Sequence, residues 1–238
     1  MVEHFLGKEG VVSPILTSGT IFVYFLEKQK CILMPIAQYI DAQVEALKAD
    51  LTYIRSLYKN LIKILPSFDI TDSSILPYGL KPHTRSISWL VEQVITQQSK
   101  FHARELGIDD VDFNMRDTCL HDCIIHKNDK KYYINVKIHN AGNRENKNDI
   151  SAVEKIYMQY RENTDYNVIY ACLGIHFNNI NILFDPKYLE IFTAQFLPIY
   201  VNPRNDKIQA YYRHDPIYRS RDEFLKELTL KSKSINLG

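Results

Sequence analysis

Apolar residues recur at helical spacing in two long stretches of the chain. In residues 36–65 they follow a pattern close to a heptad, at Ile40, Val44, Leu47, Leu51, Ile54, Leu57, Leu61 and Ile64. This predicts one long helix, which either packs on the core or joins two copies of the chain. Residues 84–105 predict a second helix, started by Thr84 or Ser86 and ended by Gly107. Its apolar face consists of Ile87, Leu90, Val91, Val94 and Ile95.

The pattern then changes to the alternation typical of strands. Residues 119–126 and 131–139 alternate on either side of a turn at 127–130 that contains Asn128-Asp129, which predicts a hairpin. The remaining predicted elements are a helix at 149–161 capped by Asp149, strands at 167–174 and 180–184, a short helix at 186–196 and a last helix at 222–230. The order of helix, hairpin, helix and strand predicts an α/β fold with a mixed central β-sheet flanked by helices.

The segment before the second helix suggests a boundary. Short strands and turns are predicted in residues 11–35, and a polar linker at 67–74 leads to a proline-bounded turn at 77–82. We therefore predict an N-terminal helical region, residues 1–75, which would provide dimer contacts. Residues 76–238 would form the α/β region.

Composition excludes some classes of protein but does not indicate a function. A chain of 238 residues with 45% hydrophobic and 24% charged residues is ordinary for a globular protein, and a net charge of +1 neither indicates nor excludes DNA binding. The cysteines Cys31, Cys119, Cys123 and Cys172 form no CxxC pair, which disfavours a zinc site. The apolar stretch at 21–26 is too short for a signal core or a membrane span. These features predict a reduced, cytoplasmic protein without a membrane segment.

The predicted hairpin carries the candidate chemistry. With the turn at 127–130, Asp122 lies opposite Asn135, and Lys137 points to the same face as Asn135. A carboxylate and an amide oxygen are ligands for a hard cation, and a nearby ammonium can stabilise charge on a phosphate. Asp117 is the alternative metal-binding aspartate, although its position is farther from Lys137.

Several blocks together resemble the PD-(D/E)xK nucleases, and among them the type II restriction endonucleases. They are residues 84–93 (TRSISWLVEQ), 121–125 (HDCII) with 133–137 (YINVK), 146–155 (NKNDISAVEK), 201–205 (VNPRN) and 216–224 (PIYRSRDEF). The resemblance implies a restriction-endonuclease-like core and a Mg²⁺-dependent enzyme. Such an enzyme would cut both strands of a short double-stranded DNA site, usually as a homodimer.

The resemblance also assigns roles to individual residues. Asp122 takes the place of the metal-binding aspartate, Lys137 that of the catalytic lysine, and the carbonyl of Val136 would contact the metal. The chain departs from the pattern at Asn135, which stands where an acid is usual and supplies no charge. Glu92 on the preceding helix is the candidate for the missing acid. Asp149 and Glu154 are alternatives, although a helix cap suits Asp149 better and a surface or capping role suits Glu154 better.

Two segments are candidates for DNA contact. The polar loop after the second hairpin strand contains Asn143, Arg144, Asn146 and Lys147, and asparagine and arginine read base edges in the major groove. The tail contains Arg204, Tyr218, Arg219 and Arg221, with Arg213 and His214 nearby. Both segments are also compatible with a solvated surface. The functional alternatives are a DNA-binding protein of the same fold without cleavage, for which Asn135 would be the mark, and a structure-selective repair nuclease.

Overall fold

The computed structural model of the chain describes residues 16–17, 20–21, 36–69, 74, 84–113, 116, 119–142, 147–178 and 181–232. The helices are α1 (Ile36–Ile64), α2 (Thr84–Phe101), α3 (Ala103–Leu106), α4 (Val153–Glu162) and α5 (Arg221–Lys231). The strands are β1 (Leu16–Thr17), β2 (Thr20–Ile21), β3 (Phe68–Asp69), β4 (Asp110–Asp112), β5 (Cys123–Lys127), β6 (Lys130–Asn140), β7 (Lys147–Ala152), β8 (Val168–Asn178), β9 (Asn181–Phe192), β10 (Tyr200–Asn202) and β11 (Lys207–Tyr211).

The chain divides into two compact units, Met1–Leu47 and Lys48–Gly238. The first contains the β1–β2 hairpin and the start of α1. The second contains the rest of α1 and every later element. The boundary between residues 75 and 76 that the linker pattern suggests stays a prediction. Among the described helices, none is long and apolar enough to cross a membrane.

A mixed six-stranded sheet forms the centre of the second unit, in the order β3-β9-β8-β6-β5-β4. Strands β6 and β8 run parallel, and the other neighbours are antiparallel. The parallel pair requires a crossover, and α4 lies within that crossover connection. The predicted α/β class with a mixed sheet and helices is therefore confirmed.

Two apolar clusters form the core. Alternate residues of β8 belong to different clusters: Ile169 and Ala171 pack in the cluster of α1 and α2, whereas Tyr170 and Cys172 pack in that of α4 and α5. This division follows from the period of two along a strand. The part of α1 that follows Leu51 is a packing helix, since Ile54, Leu57, Tyr58, Leu61 and Ile62 are buried in the first cluster.

The predicted hairpin is present with a two-residue turn. Strand β5 ends at Lys127, β6 begins at Lys130, and Asn128 has the left-handed backbone conformation (φ 51°) that this turn requires. The second predicted helix is also present, although His102 interrupts it before the short helix α3. Gly107 ends α3 in the left-handed conformation, as its position suggested.

The prediction of a helix over residues 149–161 is wrong in its first turn. Residues 147–152 form strand β7, and the helix α4 begins only at Val153. Asp149 is therefore not a helix cap. Its carboxylate accepts hydrogen bonds from Asn205 Nδ2 (3.2 Å) and Gln209 Nε2 (2.9 Å), which join β7 to the β10–β11 hairpin in a separate three-stranded sheet of order β10-β11-β7.

The predicted short helix at 186–196 is also wrong. Residues 181–192 form the single strand β9, followed by one turn of 3-10 helix at Ala194–Phe196. The pairing of β9 with β8 shifts between Leu173 and Ile175, and Pro186 lies in the part of β9 opposite this shift. A proline at an irregularity is compatible with a strand, because it removes no regular ladder hydrogen bond. The linker prediction for 67–74 likewise missed β3, which pairs with β9.

Candidate functional site

Asp122 lies immediately before β5, at the end of the hairpin. Its amide donates to the carbonyl of Ile134 at 2.8 Å, and Ile134 is also the residue that pairs with Cys123, so Asp122 lies just beyond the end of the regular ladder. Its carboxylate Oδ2 accepts the amide hydrogen of Val136 at 2.7 Å. Because β5 has no residue paired with Val136, the side chain of Asp122 takes the place of the missing strand partner. The carboxylate is thereby held at a fixed position.

Lys137 follows on β6 and is half-buried. Its ammonium donates to the carbonyl oxygen of Val136 at 3.3 Å. Both backbone groups of Val136 are therefore contacted by the two polar side chains of the site, while its own side chain is buried in the core. The hairpin gathers Asp122 and Lys137 at one end, as the sequence predicted.

Glu92 interacts electrostatically with Asp122 and Lys137. It lies on α2 next to the buried residue Val91 and is itself half-buried. Burial raises the pKa of Glu92 to about 7, Lys137 acts to lower that pKa, and Asp122 acts to raise it. Burial also raises the pKa of Asp122, against the effects of Lys137 and of the Val136 amide. The ammonium of Lys137 thus acts on the pKa values of two carboxyl groups that come from separate segments of the chain.

Asn135 is buried, and the nitrogen of its side-chain amide forms a hydrogen bond within the fold. Its Nδ2 donates to the carbonyl of Leu120 at 2.8 Å, and this bond anchors the segment that leads to Asp122. Lys155 of α4 holds the same segment through the carbonyl of Cys119 at 3.3 Å. Within the described part of the chain, Asn135 Oδ1 is buried without a hydrogen-bond partner. Such an orphaned acceptor carries a desolvation cost and is available to a further group.

The oxygen atoms that could hold a hard cation are therefore the carboxylates of Glu92 and Asp122, the carbonyl of Val136 and Oδ1 of Asn135. The described residues contain no cluster of three or more His, Cys, Asp or Glu side chains arranged for a metal ion. A cation at this site would depend on two carboxylates supplemented by neutral oxygens and waters.

The other acids considered from the sequence lie elsewhere. Asp149 is engaged with residues that follow β10, and Glu154 is exposed on α4. Asp117 lies outside the described residues. Among the candidate acids that the structure describes, Glu92 is the one whose pKa Asp122 affects.

The predicted DNA-contacting residues do not form one group. Residues 143–146 lie outside the described part, and Lys147 is described only as the first backbone position of β7. Arg204 is exposed in the turn between β10 and β11, and Tyr218 is 54% exposed. These two residues remain open to a partner.

Arg219 and Arg221 are instead engaged within the fold. Arg219 is buried, pairs with Glu227, and donates to backbone carbonyls of the 193–197 region. Arg221 donates to the carbonyls of Tyr160, Asn163 and Tyr166 and to the side chain of Asn167. Arg221 thus stabilises the end of α4 and the following loop, and Arg219 joins the 194–197 turn to α5, so the structure gives both a role other than the predicted DNA contact.

One neighbour of the site was not identified from the sequence. Tyr166 contributes its hydroxyl to a hydrogen bond with Nδ1 of His121 at 2.7 Å, and its ring lies 4.5 Å from that of Tyr133. Because His121 precedes Asp122 directly, this contact holds the segment that carries Asp122 in place. Tyr166 is 45 residues away from His121, and no local pattern connects them.

Comparison with known proteins gives no family for this chain: no protein-family model matches it, and no curated protein matches it at a significant level. Its function therefore has to be inferred from the site itself.

Proposed function

We propose that this protein is a Mg²⁺-dependent endonuclease that cuts double-stranded DNA, of the sequence-specific type II restriction kind. The observation that carries this proposal is that Asp122 and Lys137 both bond the backbone of Val136, at the end of the β5–β6 hairpin, and that both act on the pKa of Glu92. Their electrostatic coupling involves residues from α2, from the segment before β5, and from β6.

The order of elements supports the same interpretation. The resemblance noted in the sequence implies a helix, a hairpin bearing the catalytic residues, a further helix and a strand. Helix α2, strands β5 and β6, helix α4 and strand β8 occur in that order, and β6 and β8 are parallel neighbours. We propose on this basis that the core is restriction-endonuclease-like.

The donor set is compatible with a magnesium ion. Burial leaves the two carboxyl groups short of compensating charge, as the raised pKa of Glu92 indicates, and Asn135 Oδ1 lacks a partner in the described structure. Glu92, Asp122, the Val136 carbonyl and Asn135 Oδ1 would hold the ion. When bound, it would polarise the scissile phosphate and lower the pKa of a coordinated water.

The remaining tasks fall to the protein side chains. Lys137 would move its ammonium from the Val136 carbonyl to a phosphate oxygen, where negative charge develops during hydrolysis. Asp122 would stay oriented by the Val136 amide throughout. His121 and Tyr166 would keep the Asp122 segment in place.

We further propose that the enzyme acts as a homodimer, since cutting both strands of a short site calls for two such centres. Arg204 and Tyr218 are the exposed residues of the tail that would contact DNA. The residues of the 143–147 loop remain candidates for base contact from their chemistry alone.

A second candidate is a DNA-binding protein that does not cleave. Asn135 favours it, because this residue supplies no charge and its Nδ2 is committed to Leu120. Under this alternative, the carboxyl groups of Glu92 and Asp122 would still interact, but they would not bind a cation tightly enough for hydrolysis.

A gel assay distinguishes the two candidates. Purified protein is incubated with phage DNA in Mg²⁺, in Mn²⁺ and in EDTA, and a parallel shift assay measures DNA binding. The proposal predicts discrete fragments with the metals and intact DNA with EDTA. Intact DNA under both metals together with a shifted band would support the non-cleaving protein, and preferential cutting of branched substrates would support a repair nuclease instead.

A further inference from the structure

A cavity of about 370 Å³ lies at the free edge of β9, away from the candidate cleavage site. Its walls come from α1, the end of β9, the 3-10 turn and the segment after β11. Glu92, Asp122 and Lys137 do not line it. Its wall residue Phe192 pairs with Tyr170, and Tyr170 pairs with Asn135, so the cavity lies two strand spacings, about 10 Å, across the sheet from the hairpin.

The edge position explains how the cavity arises. Strand β3 pairs with β9 only at Ile182 and Asn181, so the later residues of β9 have no partner strand on that side within the described structure. Arg55 of α1 occupies this edge by donating to the carbonyls of Leu189 (3.3 Å) and Ile191 (2.9 Å). A guanidinium group is thereby fixed on the cavity wall.

The charged groups that line the cavity are all basic. They are Lys48 and Arg55, the imidazole of His214 lies beside them, and the lining residues that the structure describes include neither Asp nor Glu. Outside the lining, Glu190 pairs at 3.9 Å with both Arg55 and Arg213 and so offsets part of this charge. The cavity therefore favours an anion of modest charge.

Four of the other ten lining residues are aromatic: Phe192, Phe196, Tyr212 and Tyr218. Tyr218 stands at the rim and is 54% exposed, with Lys48 Nζ 3.8 Å from its ring centroid and the ring of Phe196 edge-on at 5.2 Å. Phe192 and Tyr212 form the deeper wall and stack on each other with centroids 5.4 Å apart. Aromatic walls next to basic side chains suit a ligand that combines a flat ring with an anionic group.

We propose that this cavity binds a nucleotide, with its base against the aromatic wall of Tyr218 and Phe196 and its phosphate at Lys48, Arg55 and His214. The volume lies within the range of about 300–1,000 Å³ typical of small-molecule sites. The nucleotide is either a free nucleoside monophosphate or a single unpaired nucleotide of bound DNA, since both present the same chemistry. Binding here does not require the cleavage site to be active.

Calorimetric titration with deoxyadenosine monophosphate in EDTA tests the proposal, because EDTA removes any contribution from a metal at the hairpin. We expect saturable binding with one nucleotide per chain. The variants Lys48→Gln and Tyr218→Ala should weaken it about fivefold or more. The matched controls Lys59→Gln, on the same helix, and Phe101→Ala, an exposed ring elsewhere, should stay within about twofold of the unaltered protein.

Simpler ligands and DNA complete the test. Inorganic phosphate and deoxyadenosine should each bind more weakly than the monophosphate, and equal affinity for phosphate alone would overturn the assigned role of the aromatic wall. A larger loss of affinity in Tyr218→Ala for a duplex with one unpaired nucleotide than for a perfect duplex identifies a DNA nucleotide as the occupant. Equal losses identify the free nucleotide. Absence of saturable monophosphate binding, or unchanged affinity in both cavity variants, overturns the proposal even if the protein cleaves DNA.

Discussion

At the scale of single residues, the site forms where polar side chains bond backbone groups of β6 that have no partner on β5. Asp122 bonds the Val136 amide because β5 has not yet begun, and Lys137 bonds the Val136 carbonyl for the same reason. Ordinary strand register was enough to predict that these residues would meet, since the pairing follows from the position of the turn. The same register could not reveal Tyr166, because its contact with His121 depends on the tertiary fold.

Glu92 gives a stability prediction with a definite sign. Its pKa is raised from 4.5 in the unfolded chain to about 7 in the folded protein, so the folded state holds the proton more tightly. The stability that this proton contributes is fully present below pH 4.5 and is lost as the pH rises through about 7. In EDTA, Glu92→Gln should therefore raise the free energy of unfolding at pH 8 by about 1–2 kcal/mol, discounted for the solvent contact of the side chain.

The measurement is urea unfolding of both proteins at pH 5 and pH 8. The advantage of Glu92→Gln should be smaller at pH 5. An equal effect at the two pH values would mean that Glu92 is ionised in the folded protein, and that its environment is more solvated than its position on α2 implies. Exposed Glu154→Gln is the matched control and should change little at either pH.

Asn135 gives a prediction of gained function. Asn135→Asp would add the charge that the site lacks, so Mg²⁺ and Mn²⁺ affinity should increase about tenfold or more. Without metal the new buried carboxylate should destabilise the fold by about 1–3 kcal/mol, because it also loses the donor to Leu120. Calorimetric metal titration measures the first effect and urea unfolding the second. Asn60→Asp, an exposed substitution on α1, is the control, and equal metal affinity in Asn135→Asp and the unaltered protein would place Asn135 outside the metal site.

At the scale of elements, the sequence pattern predicts those helices and strands whose formation depends on residues close to one another in the chain. The β5–β6 hairpin and helices α1, α2 and α5 follow from alternation, helical spacing and turn residues that agree with one another. The pattern does not predict strand β7. Asp149 is a residue type common at helix caps, but pairing with β11, about 60 residues later, places it in a strand. The sequence pattern predicts a strand that ends before Pro186, whereas β9 continues through Pro186 because the irregular pairing with β8 accommodates a proline there.

That irregular pairing carries its own prediction. Gly174 lies at the register shift between β8 and β9, and a Cβ built on it would overlap the Cβ of Tyr188. Gly174→Ala should therefore lower the free energy of unfolding by about 2–3 kcal/mol. In Gly142→Ala the added Cβ would meet only Asn140 Oδ1 at 3.3 Å, and this substitution should cost much less. Thermal and urea unfolding compare the two, and equal stability of the variants would show that β8 and β9 can separate at this point.

At the scale of the whole molecule, the two apolar clusters hold α2 and α4 with the central sheet, while the charged site is left at the end of the hairpin. Under the proposed function, local groups rather than the net charge of only +1 would contact the DNA phosphates. The sequence suggested the class of sheet and the central residues of the site. It could not indicate the burial of Glu92 or the internal use of Arg219, since both depend on packing between distant segments.

The central claim is that Asp122 and Lys137, with Glu92, form a metal-dependent centre for DNA cleavage. The most direct test compares cleavage rates in Mg²⁺ for the unaltered protein, Asp122→Ala, Lys137→Ala and the control Lys131→Ala, an exposed lysine on the same strand. Circular dichroism verifies that each variant is folded. We predict that Asp122→Ala and Lys137→Ala each lose about a thousandfold or more of the rate while Lys131→Ala retains it. Full activity in folded Asp122→Ala or Lys137→Ala would contradict the account.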